Sequence, residues 1–435
     1  MIRSYINKKF IMKSSTMAAS NFIQFASISA IIVIISRIEG YAESALYGSL
    51  ISLYGLLLML PTGLMIWQIS SFAPELIKLK NAPEGSKEKI SRNLFYLNST
   101  FDTHNKFILK ILFFIWLLIL IPTLFLASAQ SAAFWISILP IILVSPFISS
   151  LQAKLQVAQK ESKILSGNLS IAAINVFFTY FLLHIPLLKN SPYTLAFLGC
   201  IQSISGIILL MYLLMHKKSL PLEYSKKLPH LESRVTFSSF RKIVSGSIDG
   251  IVLSATFSLA IIVAMQNSPR DGFLISLVVS IMRMIVIPSK QFGLVGGRMH
   301  LMGEVKNIKT IVLSSFVSIA VVSSVIIPAY IVKSSISIPN LITVLILVQI
   351  AIEPLSGVLY GFLKIRVGTE KALYGLLFSY ILFSIPMLIL CSIFKFANAE
   401  NVWGILFMAR IIFTFSVVWI LYSNRDKIKT SIRKG

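Results

Sequence analysis

Cysteine is nearly missing from this chain: two in 435 residues, Cys200 and Cys391, each inside an apolar run. Two isolated thiols cannot supply a disulfide framework, a cysteine-rich zinc site or a Cys-x-x-Cys redox centre, and both read as small core residues. Acidic residues are scarce too, with 16 Asp and Glu against 40 Lys and Arg, for a formal net charge of +24. Charged residues of both signs make up only 13% of the chain, about half the ~25% usual in soluble domains. No water-soluble surface can be built from that composition. Soluble enzymes, nucleic-acid-binding modules and disordered regulators are thereby excluded. No Gly-x-x-x-x-Gly-Lys-Ser/Thr loop occurs, so ATP binding of the P-loop kind is excluded as well.

What the chain has in abundance is apolar surface: 56% of its residues, with a mean hydropathy of +0.83. A spanning helix needs about 20 mostly apolar residues to cross roughly 30 Å of hydrocarbon. Twelve such runs are legible, near 18–36, 44–67, 107–127, 134–153, 164–183, 193–215, 243–265, 272–295, 308–332, 339–363, 372–394 and 401–422. Several carry a proline in mid-span: Pro61, Pro146, Pro288, Pro354 and Pro386. A span tolerates such breakers where neighbouring helices or a wet cavity re-satisfy the freed backbone groups. The pattern predicts a packed all-α bundle in the membrane, with the lipid bilayer as its solvent. The first run, preceded by Lys8, Lys9 and Lys13, is too long for a signal-peptide core and is expected to stay as a helix.

Loop charge gives orientation. With the loops numbered alternately, one side holds the N-terminus, 68–106, 154–163, 216–242, 296–307, 364–371 and the C-terminus, and it carries most of the 40 basic residues. The other side carries Arg37, Lys189, Arg270, Lys333 and Lys395. The positive-inside rule then puts both termini in the cytoplasm of a multi-pass protein of the inner or plasma membrane. The basic, Pro-punctuated stretch 216–242 sits at mid-chain and reads as a linker. A single offset places Pro146 on Pro354, Leu151 on Leu359 and Lys163 on Lys371, and a second places Pro61 on Pro288. These matches predict two parallel six-helix lobes, 1–215 and 243–435, of the kind that bind cargo between them and rock for alternating access.

The stretch Ile352-Glu353-Pro354-Leu355-Ser356-Gly357-Val358-Leu359-Tyr360-Gly361-Phe362-Leu363 runs on through Lys364–Lys371 to Ser379-Tyr380 and Ile385-Pro386. It resembles the tenth and eleventh helices of the multidrug and toxic compound extrusion (MATE) family. Asn175-Val-Phe-Phe-Thr-Tyr-Phe-Leu-Leu183 resembles that family's Asn-x-x-x-Asp-Tyr-x-Leu pattern, and Gln291–Glu304 resembles the Gly-rich end of its eighth helix. The resemblance implies a twelve-helix transporter driven by an ion gradient, with Glu353 matching the family's acidic residue in the tenth helix. It departs elsewhere. The family's acid in the seventh helix falls near Ser254 rather than at Asp249, its first-helix acid near Ile32, and its span-5 acid is replaced by Thr179. The same superfamily includes flippases for lipid-linked oligosaccharides.

Of the acidic residues, only Asp249 and Glu353 fall inside expected spans. A mid-bilayer charge costs about 2.5–3.5 kcal/mol on insertion scales, so both are candidates for cation coupling, by a proton or by sodium, with Glu353 the position for sodium. The alternative is structural pairing with Arg283 or Arg410, the buried cations of the eighth and twelfth runs. Arg283, Arg410 and Lys290 are candidates for a cavity that receives an anionic group through paired hydrogen bonds. Lys290, near a span end, could equally snorkel to the interface. Asn21, Gln24, Asn175, Thr179 and Gln202 are the polar residues of the first lobe, for which ordinary interhelical hydrogen bonding is the competing reading. No catalytic residue and no cofactor are expected. The expectation is a monomeric secondary exporter of small or amphiphilic compounds, anionic ones included. A flippase of the same superfamily is the alternative, and an intramembrane glycosyl transferase or polymerase a third reading. The third lacks the carboxylate pairs and histidine clusters such chemistry requires.

Overall fold

In the computed structural model the described residues are 8–186, 191, 193–217, 235–301, 304–305, 309–313, 315, 336–366 and 369–424. Most of the expected linker at 216–242 and most of the run at 308–332 lie outside them. The described residues form helices and no strand. Among the described residues ten helices are long and apolar enough to cross a membrane, and a bent pair, Asn340–Glu353 with Leu355–Arg366, raises the number to eleven. These eleven coincide with eleven of the twelve apolar runs.

Two compact units divide the chain, one made of residues 56–248 and the other of residues 1–55 with 249–435. This grouping describes packing, in which the first helix and most of the second join the C-terminal segment. The six-and-six lobes expected from the internal repeat describe chain halves.

The unit of residues 56–248 contains α3 (Met59–Asn81), α4 (Glu84–Leu126), α5 (Ala129–Ser137), α6 (Leu139–Val157), α7 (Glu161–Leu183) and α8 (Thr194–Lys217). The helix α4 runs for 43 residues, although its apolar part begins only near residue 107. Its first half is a charged, amphipathic stretch that hydropathy reads as loop. Within this unit α6 packs on α3, α4 and α8, and α8 packs on α5 and α7. Trp116 Nε1 ties α4 to α5 by donating to the Trp135 carbonyl at 2.7 Å.

The other unit contains α1 (Lys8–Ile38), most of α2 (Tyr41–Leu57), most of α9 (Phe237–Asn267), α10 (Pro269–Leu301), α11 (Asn340–Arg366), α12 (Thr369–Leu376), α13 (Ile385–Ile393) and α14 (Ala399–Ser423). The turn between α1 and α2 rests on Gly40, whose φ of +113° a side chain would strain. The central helix is α10: 89% of its most apolar window is buried, against α1 and α11. That closeness needs small residues. A Cβ on Gly361 would fall 2.9 Å from the Leu294 amide nitrogen and 3.0 Å from Gly293 Cα, so α10 and α11 touch backbone to backbone. On the other side Ser29 of α1 donates to Ser280 of α10 at 2.7 Å. The helix α11 bends by 40° beside Pro354, as a ring without an N–H would force. Between α12 and α13, Leu377–Ser384 is π-helical, and the Ile385 amide bonds back to the Tyr380 carbonyl just before Pro386.

Candidate functional site

The helices of this second unit bring the expected acids to two ion-pair centres. Glu353 lies at the bend of α11 and is fully buried. Arg410, one helix away on α14 and 5% exposed, grips it in a fork: Nε donates to Oε2 at 2.6 Å and Nη2 to Oε1. The same guanidinium donates to Ser356 Oγ at 3.2 Å. A planar fork on a carboxylate is the arrangement that a buried arginine holds best.

Asp249 on α9 is the second centre, 2% exposed. Lys364 Nζ of α11 donates to its Oδ1 at 2.7 Å, and Lys290 Nζ of α10 donates to its Oδ2. One carboxylate therefore answers two ammonium groups. The alternative of Lys290 snorkelling to the interface gives way to this pairing. Lys364 was not a candidate from the sequence, where it opens the basic stretch 364–371. The structure keeps it inside α11, its side chain only 1% exposed.

Aromatic rings join the two centres. The ring of Tyr360 lies 5.5 Å from Lys364 Nζ and 6.0 Å from Lys290 Nζ. It packs edge-on against Phe413 at 5.1 Å, and Phe413 in turn lies 4.7 Å under the Arg410 guanidinium. The three contacts of Lys364, Lys290 and Arg410 are cations over ring faces, worth more where water is excluded.

Arg283 stands apart. It is 9% exposed in α10, its guanidinium carbon 5.1 Å from the centroid of Phe257. Among the described residues no carboxylate lies within ion-pairing distance of it. The acids that sequence reasoning offered as its partners are taken by Arg410, Lys290 and Lys364.

The polar residues expected to line the first lobe do not form one site. Asn21 and Gln24 lie on α1, and Asn21 donates back to the Met17 carbonyl at 3.0 Å within its own helix. In the unit of residues 56–248, Asn175 of α7 is 3.5 Å from Gln202 of α8, and Ser205 Oγ donates to Asn175 Oδ1 at 2.5 Å. That is interhelical hydrogen bonding between α7 and α8. Thr179 is buried one turn along α7. No group of three or more His, Cys, Asp or Glu able to hold a metal occurs among the described residues.

The bundle matches solved transporters over nearly its whole length. An outward-facing multidrug resistance MATE family transporter of the MOP superfamily superposes with a TM-score of 0.65 at 13% identity, covering 98% of this chain and 97% of that one. A eukaryotic MATE transporter gives 0.65 at 13% identity, covering 97% and 98%. A MOP superfamily transporter from Pyrococcus furiosus, described as having a binding pocket of reverse polarity that suggests a different function, gives 0.63 at 12%, covering 98% and 96%. No family model and no curated protein sequence matches the chain. The chain is thus a multi-pass membrane protein with the MATE fold.

Proposed function

We propose that the protein is a secondary active exporter that moves an amphiphilic compound bearing an anionic group, with a proton as the coupling ion. The observation that carries this is the positive excess of the buried charges: among the described residues Asp249 answers two lysines, Glu353 one arginine, and Arg283 no carboxylate. A buried guanidinium without a counter-ion is costly to keep. A cargo anion arriving in a paired hydrogen-bonded geometry would supply what it lacks. Both carboxylates are already engaged by cations, so sodium would have to displace an ion pair to bind, whereas a proton can add to the carboxylate and release its cation. The positive excess favours a second reading too, a flippase for a lipid-linked sugar whose phosphate would meet the same cations.

Purified protein in liposomes tests the proposal. An imposed pH gradient should drive uptake of an anionic amphiphile, and an imposed sodium gradient at equal pH should not. Arg283→Gln should weaken binding of that compound while leaving binding of an uncharged analogue unchanged. Glu353→Gln should abolish gradient-driven movement, because the amide cannot cycle a proton. Transport driven by sodium alone, or undisturbed in the Glu353 variant, would sink the coupling scheme. Movement of a lipid-linked sugar without any gradient would favour the flippase.

A further inference from the structure

The inward face of α11 is polar and its outward face apolar. Gln349, Glu353, Ser356, Tyr360 and Lys364 recur at three- and four-residue spacing and are all buried, whereas Leu341, Val344 and Leu347 are exposed. This one stripe, about 22 Å long at 1.5 Å per residue, carries both ion-pair centres. The π-helical stretch has the same inverted polarity. Its buried residues are Ser379, Tyr380 and Ser384, while Phe378, Ile381 and Leu382 are exposed. The helix α14 packs on both elements: Arg410 reaches Glu353, and the Phe413 ring lies 6.2 Å from that of Tyr380. Polar groups turned inward are costly unless each finds a partner.

Three polar atoms near the Glu353–Arg410 pair have no partner among the described residues: Gln349 Oε1, Ser384 Oγ and Trp403 Nε1. All three residues are more than nine-tenths buried. Gln349 comes one turn before Glu353, Trp403 two turns before Arg410, and Ser384 one turn after Tyr380. The chain turns back after Arg366 and again after Ile393, so α11 and α14 begin at the end of the unit where α13 finishes. All three offsets, about 6–10 Å along the helices, therefore point from the ion pair toward that same end. Loop charge places it outside the cell. The indole N–H is a donor only, the amide oxygen an acceptor only, and the hydroxyl is both. Buried water bonds about three such groups.

We propose that Gln349, Ser384 and Trp403 position a short file of water molecules that brings the coupling proton from the outer face to Glu353. The inference rests on the proton-coupled reading given above. Trp403 holds a water by its oxygen, Gln349 takes one of its hydrogens, and the Ser384 hydroxyl accepts from one water and donates to the next. A proton joining the outermost water is matched by one leaving the innermost for a Glu353 oxygen. One O–H bond forms on the carboxyl as one is given up by the water beside it, and the charge that holds Arg410 is cancelled. The three residues position the water; Glu353 carries the proton.

Two measurements on the full chain test this, and neither needs the cargo. In isotope-labelled protein, with the Trp403 signal assigned by its loss in Trp403→Phe, that indole N–H should exchange into heavy water at least about tenfold faster than the one on Trp116. Both rings are buried, but Trp116 is held by the Trp135 carbonyl. Exchange no faster than that of Trp116 would overturn the water file. The second measurement follows the carboxylic-acid infrared band of Glu353, identified by its loss in Glu353→Gln, after a rapid acid jump. Threonine and valine have the same shape and differ only in the hydroxyl. The band should rise about fivefold more slowly in Ser384→Val than in Ser384→Thr, the worth of one hydrogen bond. Equal rates in the two variants would overturn the entry route alone. Absence of the band in the wild type would overturn the proton-coupled reading and the route with it.

Discussion

Glu353 and Arg410 are each about as buried as a side chain can be, and each satisfies the other through two hydrogen bonds. Removing one partner of such a pair strands a charge and costs about 3–5 kcal/mol, whereas replacing both with apolar groups is often neutral. Arg410→Gln should therefore lower the melting temperature in detergent strongly, and the double change Glu353→Leu with Arg410→Met should recover most of the loss. Arg283 must behave differently. With no carboxylate beside it among the described residues, Arg283→Gln strands nothing, and its melting temperature should stay level or rise. A fall in stability as large as that of Arg410→Gln would mean that Arg283 is a structural ion-pair partner and has no bearing on cargo. The sequence made the five charged candidates Asp249, Glu353, Arg283, Lys290 and Arg410 visible and offered structural pairing as one reading, but it could not say which charges meet. Pairing depends on how helices cross, and Lys364 shows this most clearly. It stands beside the loop in the chain, yet it reaches Asp249 because Gly293 and Gly361 let α10 and α11 come together.

At the scale of the element, the α10–α11 crossing and the α1–loop tie are among the features that hold this unit's helices in register. Gly361→Leu would drive a side chain into the backbone of α10, and overpacking of this kind costs about 1–3 kcal/mol or more. It should also disturb the Asp249 centre by pushing Lys364 away, so transport should fall together with thermal stability. The tie is Glu304, which accepts from Lys9 at 3.1 Å and lies 3.8 Å from Lys13. Burial pushes the Glu304 carboxyl up, but the hydrogen bond from Lys9 and the charges of Lys13, Lys9 and Arg298 outweigh it and leave the group below its ordinary value. A carboxylate lowered on folding adds stability above its unfolded pKa and loses it as pH falls through the folded one. Below the usual glutamate range the wild type should therefore lose melting temperature, while Glu304→Gln, less stable near neutrality, should lose less. Parallel pH curves would remove the tie from the account. The spans themselves were legible because twenty apolar residues in a row carry their own reason to cross a bilayer. The solvent-side half of α4 was not, since an amphipathic charged stretch has no hydropathy signal and forms a helix only with the bundle to lean on.

For the whole molecule, the loops and the fold bear on one question, which way the bundle sits. The MATE fold is common to the neighbours in hand, but a fold has no intrinsic sense of inside and outside; the asymmetry comes from lysine and arginine in the short loops. Nearly all of them fall on one side of the twelve-run reading, and a different count would mix the two sides, so orientation and count stand or fall together. Three positions report on it directly, because each is exposed at a helix end or loop: Ala129 at the start of α5, Ser337 before α11, and Ser86 at the start of α4. In a background with Cys200 and Cys391 replaced, cysteines at 129 and 337 should react with an impermeant thiol reagent in intact cells. A cysteine at 86 should react only after the membrane is opened. Ser337 is the sharper probe, because it follows the run at 308–332. If that run crosses, 337 and 129 share a side; if it does not, 337 joins Ser86. Labelling at 129 without labelling at 337 would break the twelve-run count while leaving the first half of the topology intact. It would also put Lys333 among the cytoplasmic charges and reverse the direction of every helix after α10. Asp249 would then pair with helices entering from the opposite face, which the close α10–α11 crossing and the shared Lys290–Lys364 clamp on one carboxylate could not accommodate without re-threading.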